Sequence, residues 1–156
     1  MGYTTDFNGR FHFNKPLDKE THAILTGLAT TRRMKRQGLP EEYGFQGEFY
    51  YNPNSKMMGQ EEEASIVDYN TPPDTQPGLW LQWIPSKDGK YLEWDGGEKF
   101  YHYVEWLEYL IKKILAPNGY SLTGDVEWLG EDADDRGLIS IKDNVITVKR
   151  GRIVYE

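Results

Sequence analysis

At 156 residues the chain can bury a core, and 38% hydrophobic against 28% charged residues fits a soluble globular fold. The absence of cysteine excludes a disulfide framework and thiolate chemistry. A formal net charge of −7 weighs against non-specific nucleic-acid binding, which rests on neutralising phosphates, and leaves room for a basic protein partner.

In chain order, residues 3–14 read as one strand with Phe7, Phe11 and Phe13 on one face and a kink or bulge at Gly9. Pro16-Leu17-Asp18 opens a helix, with Asp18 as its cap and Ile24, Leu25, Leu28 and Ala29 as its buried stripe. The helix runs into the chain's one basic cluster and stops at Gly38-Leu39-Pro40. Residues 47–51 read as a short strand, 52–63 as a polar surface loop with Glu61, Glu62 and Glu63, and 65–69 as another strand. A Pro-rich loop, 70–78, leads to 79–84, apolar on both parities as in a central strand covered on both faces. Residues 91–94 return as its antiparallel partner.

The strongest period lies in the stretch from Asp95 to Ala116. Phe100, Tyr103, Val104, Leu107, Leu110, Ile111, Ile114 and Leu115 form one apolar stripe, which predicts a helix over about 96–116. Asp95 suits its N-cap, Glu98 completes a capping box, and Pro117-Asn118-Gly119 ends it. Residues 120–129 alternate as a half-buried strand, 138–142 and 145–148 form a hairpin about Asp143-Asn144, and 152–156 add a terminal strand. The expected fold is a single α+β domain over 1–156, with a mostly antiparallel sheet of about five to eight strands and two helices, the longer across one face. No apolar run reaches ~18 residues, and the opening MGYTTDFNGR lacks a signal peptide's apolar region, so the expected location is the cytoplasm, away from membranes.

The segments WDGGEKFYHYVEWLEYLI and LAPNGYSLTGDVEWLGEDADDRGLISIKDN, with MGYTTDFNGRF and DYNTPPDTQPGLWLQW, resemble a family of small uncharacterised proteins of bacteria and their phages. The resemblance brings no activity, cofactor or catalytic residue. It implies a prokaryotic or phage protein of the cytoplasm, the host's if phage-encoded.

Candidate sites each carry two readings. Glu98, His102 and Glu105, with Tyr109 on the same face, could ligand a metal at helical spacing, but that face falls opposite the apolar stripe and reads as solvated, so no metal site is expected. Glu131, Asp132, Asp134 and Asp135 could hold a hard cation or mimic a phosphate backbone, against a plain charged loop without EF-hand spacing. Arg32, Arg33, Lys35 and Arg36 could hold a phosphate beside Tyr43 and Phe45, or simply complement a helix C-terminus. Asp68, Tyr69, Asn70, Gln76, Trp80, Gln82 and Trp83 set polar groups beside aromatics, as at a recognition surface, although Trp80 and Trp83 also suit the core. Gln82 shares a parity with Trp80 and, if buried, needs hydrogen-bond partners.

No nucleophile, base or phosphate-binding motif emerges, and no cofactor is expected. The expected function is non-enzymatic: binding, and inhibition, of a protein partner through the acidic and Pro-aromatic loops, at Glu131, Asp132, Asp134, Asp135, Asp68, Tyr69, Asn70, Gln76 and Trp80. The alternative is a small enzyme or binding module for a nucleotide or nucleic acid, held by the basic cluster from Arg32 to Arg36. The sequence leaves the oligomeric state open.

Overall fold

A computed structural model describes residues 2–156, so Met1 of the opening segment lies outside it. The protein is α+β. Strand β1 (Thr5–Phe13) sits inside a six-stranded antiparallel sheet with β4 (Trp83–Pro85), β5 (Tyr91–Trp94), β6 (Leu122–Gly130), β7 (Arg136–Lys142) and β8 (Val145–Arg150), in the order β4-β5-β1-β6-β7-β8. β1 pairs with β6 from Thr5↔Gly130 to Phe13↔Leu122 without a shift of register. Gly9 is therefore not a bulge. It marks a close approach: its φ is +110°, and a Cβ there would lie 2.5 Å from the Asp125 carbonyl oxygen. The β7–β8 hairpin turns at Asp143 and Asn144, both left-handed, as a two-residue turn matching the strand twist requires.

One face of the sheet carries the core. Phe11, Leu92, Leu122, Val126, Trp128, Ile139 and Ile141 are buried there with Trp83. The expected helix from Asp18 is α1 (Lys19–Thr30), where the Asp18 carboxylate accepts from the Thr21 N–H at 2.7 Å and Leu25 and Leu28 are fully buried. The second helix, α2 (Tyr103–Leu110), is shorter than expected and continues as a π turn (Ile111–Leu115) and a 3-10 turn (Ala116–Asn118). Asp95 does not cap it. The Asp95 carboxylate accepts from the Gly97 N–H at 2.7 Å, and Lys99 and His102 take left-handed backbone (φ 60° and 59°), so the helical path begins only after His102.

A long excursion, 31–82, separates α1 from β4 and departs furthest from the sequence reading. It holds a two-stranded ladder of β2 (Lys35–Arg36) with β3 (Ile66–Asp68). Residues 47–51 form no strand, because a 3-10 turn at Phe45–Gly47 curls the chain back. Of the expected central strand, 79–84, only Trp83 and Ile84 are paired, within β4, and β4 is an edge strand rather than a central one. Residues 152–156 follow β8 without pairing. The excursion lies against a second face of α2, which explains why Trp106 and Tyr109, outside the expected stripe, are buried.

Candidate functional site

The Pro-rich loop with Leu79 and Trp80 and the 99–102 segment that leads into α2 enclose a cleft of about 420 Å³. Pro72, Pro77, Leu79 and Trp80 line it from the loop, and Lys99, Tyr101 and His102 from the segment before α2. Left-handed backbone at Lys99 and His102 turns the chain sharply into the helix; for non-glycine residues this costs about 1–3 kcal/mol each, a cost met where the surroundings fix the geometry. Those surroundings are Phe100, buried against Trp83 at 5.3 Å between ring centres, and the Glu98 carbonyl, which accepts from Gln82 Nε2 at 2.9 Å.

Cations gather at the rim. Arg32 lies 5.6 Å over the Trp80 ring and donates to Asn70 Oδ1 (3.2 Å) and the Tyr69 carbonyl (2.9 Å). The Lys99 side chain is exposed. His102 Nδ1 lies 3.2 Å from Glu105 Oε2. No side chain caps the first turn of α2.

The acidic loop borders the same end of the molecule. The Tyr3 N–H donates to Tyr101 Oη (3.2 Å), while the Tyr3 hydroxyl donates to Asp135 Oδ2 (2.7 Å) and accepts from the Asp132 N–H (3.1 Å). The acidic residues divide by role. Asp135 also accepts from Trp128 Nε1 at 2.9 Å and so belongs to the fold, and Glu131 accepts from the Thr4 N–H at 2.9 Å. Asp132 and Asp134 face solvent.

Several expected site residues serve elsewhere. Arg33 and Arg36 are each only 1% exposed, so neither complements a helix end nor offers itself to a phosphate. Arg36 donates to Glu63 (2.7 Å), Ser65 Oγ (2.9 Å) and the Gly59 carbonyl (2.7 Å), and lies 3.9 Å over the Tyr50 ring. Arg33 donates to the Tyr50 carbonyl, and burial pushes its guanidinium down to about 10, still high enough to remain a cation near neutral pH. Of the basic cluster only Arg32 and Lys35 reach the surface, and Lys35 pairs with Asp74 at 2.8 Å.

Gln76 is not a contact residue either. It is buried, donating to the Glu48 carbonyl (2.6 Å) and Tyr109 Oη (3.1 Å). Tyr109 in turn donates to Glu48 Oε1 at 2.7 Å, which pins the excursion to α2. Asp68 holds a turn through the Asn70 N–H (2.8 Å) and the Thr71 hydroxyl (2.7 Å), bonds that keep its carboxyl below the usual range. Tyr43 packs against Tyr50 with tilted rings, 5.5 Å between centres, while Phe45 is exposed. Glu98 lies off the helix, so the candidate metal trio does not assemble, and among the described residues no other group of three is placed to hold a metal ion. Gln82 finds the partners that burial demands: the Glu98 carbonyl and Trp94 Nε1, the latter at 3.4 Å. Trp83 is core, with Nε1 donating to the Tyr103 carbonyl at 2.9 Å.

Sequence reasoning placed Asn70 and Trp80 at a recognition surface but did not join Lys99, Tyr101 and His102 to them. The only local signal was the lack of a Ser, Thr, Asp or Asn directly before Tyr103, where a well-capped helix would carry one. No helix of the described residues is long and apolar enough to cross a membrane. Comparison with known protein families, curated proteins and solved structures finds no match to this chain.

Proposed function

We propose that this chain is a non-enzymatic interaction protein of bacterial or phage origin that works in the cytoplasm, binding and inhibiting a protein partner through the end of the molecule where the Pro-aromatic cleft and the acidic loop meet. One observation carries the reading: two stretches more than fifty residues apart, 68–80 and 131–135, border one surface, linked through Tyr3 and Tyr101. Apolar walls, a polar rim and charges of both signs suit a protein surface better than a single small substrate. The phosphate alternative is weakened, since Arg33 and Arg36 are buried inside the fold.

The test is quantitative affinity capture from host lysate by the wild-type chain, a Trp80→Ala variant and a triple charge reversal of Glu131, Asp132 and Asp134. Asp135 is left intact because it supports Trp128. One stoichiometric partner, depleted by both variants, supports the reading. A partner retained by both, or none at low and moderate salt, refutes it.

A further inference from the structure

The two edges of the large sheet differ. β4 is three residues long and ends at Pro85, which offers no N–H. β8 is six residues long, and its one ladder is with β7. The Gly151 N–H donates to the Arg136 carbonyl at 2.8 Å. Bonded and non-bonded pairs alternate along an antiparallel ladder, so Val145, Thr147 and Lys149 are the residues of β8 that bond to β7. The N–H and C=O groups of Ile146, Val148 and Arg150 therefore point outward, where no strand meets them. Exposed large apolar side chains crowd the same stretch: Val145, Val148, Ile153, Val154 and Tyr155. Val148 lies opposite the fully buried Ile139, on the core side of the sheet, yet is 45% exposed, so the layer that covers the core stops short of β8.

We propose that this edge joins a second copy of the chain, with β8 and the residues after it antiparallel to the same stretch of the copy about a two-fold axis at Arg150. The two sheets then run on as one. A two-fold normal to the sheet keeps both core faces on one side, so residues opposite each other share a parity. Centred on Arg150, it sets Val145 against Tyr155, Ile146 against Val154 and Thr147 against Ile153, once on each side of the axis. Apolar, aromatic and β-branched pairs of this kind stabilise a ladder, and the outward groups of Ile146 and Val148 gain partners. Other centres do worse. Lys149 at the axis opposes itself and sets Ile146 against Arg152, while Gly151 at the axis sets Arg150 against Arg152 twice. A centre at Thr147 pairs Ile146 with Val148 but leaves Ile153, Val154 and Tyr155 bare. The chosen register has one unfavourable pair, Arg150 against itself. An acidic strand of another protein would suit Lys149 and Arg150 but would leave the apolar match between 145–147 and 153–155 without a cause.

The test is sedimentation velocity of the full chain and three variants across a concentration series, with a thermal melt of each. Wild type is expected to dimerise reversibly with a Kd of about 100 μM or tighter, at the weak end that a small interface allows. Val154→Pro removes an N–H that lies outside every strand of the monomer, so Tm at low concentration is kept while the dimer weakens at least about tenfold. Arg150→Thr removes the like charges at the axis and should tighten the dimer severalfold. Lys149→Thr removes the same charge from the same strand but faces Gly151 of the second copy, and should stay within about twofold of wild type. A chain still monomeric at about 500 μM, a dimer indifferent to Val154→Pro, or equal tightening by Lys149→Thr and Arg150→Thr each overturns the proposal. A monomer leaves the partner-binding role standing, because the cleft does not need this edge.

Discussion

Replacing Tyr109 with Phe tests whether the excursion is clamped to α2, the clamp that places the Pro-rich loop over the helix head. The hydroxyl donates to Glu48 Oε1 at 2.7 Å and accepts from Gln76 Nε2 at 3.1 Å, with all three residues buried. A hydrogen bond to a carboxylate contributes about 1.5–3 kcal/mol and a neutral one about 1 kcal/mol. Glu48 keeps the Thr75 hydroxyl (3.0 Å) and the Phe45 N–H (3.1 Å), so it is weakened rather than stranded. The expected loss is about 2–4 kcal/mol, or a Tm lower by about 5–15 °C for a chain of this size. Urea unfolding of wild type, Tyr109→Phe, Glu48→Gln and the double variant closes a cycle whose coupling should be about 1–2 kcal/mol. A loss under about 0.5 kcal/mol, or additivity within that margin, would refute the clamp.

Three further outcomes follow from the same structure. Desolvation holds Tyr103 up to about 12, and desolvation with Glu48 beside it holds Tyr109 higher still. Their share of stability is therefore complete below the ordinary tyrosine value and falls as pH rises past about 10; Tm measured from pH 8 to 11 should drop, and less steeply in Tyr109→Phe. Asp18, its carboxyl held low by the Thr21 N–H, contributes above the ordinary carboxylate value and loses that share as pH falls through its folded value. Asp18→Ala should lower stability near neutral pH by urea unfolding and flatten the acid limb of the Tm profile; an unchanged limb would contradict this. Gly27→Ala gains about 1 kcal/mol of helix propensity, but its Cβ would sit 2.2 Å from Tyr51 Cδ2, and overpacking costs about 1–3 kcal/mol. Net destabilisation in a urea melt is expected, and a gain would mean that Tyr51 does not rest on α1.

What could be read from the sequence was what local physics decides. The period-two alternation of 122–128, the Asp143-Asn144 turn and the Asp18 cap each depend on residues a few positions apart, and each stands as expected. Tyr109 looked like part of a solvated face, and Trp106 fell outside the expected stripe, because the excursion that covers them is distant in sequence. Arg33 and Arg36 looked like surface cations for the same reason. The acceptors of Arg36 lie 23 to 29 residues further on, and the one that Arg33 meets, the Tyr50 carbonyl, lies 17 residues on. The cleft followed this pattern: Asn70 and Trp80 stood out as polar-aromatic neighbours, whereas Lys99, Tyr101 and His102 joined them only through long-range folding and a helix that starts late.

Amide hydrogen exchange on the complex of this chain with its captured partner tests the central claim most directly. The interaction account predicts new protection in 69–80, 99–105 and 130–135 and none on the open sheet face around Asn8, Arg10 and Thr147. Protection centred on that open face, with the cleft and the acidic loop exchanging as in the free protein, would contradict it.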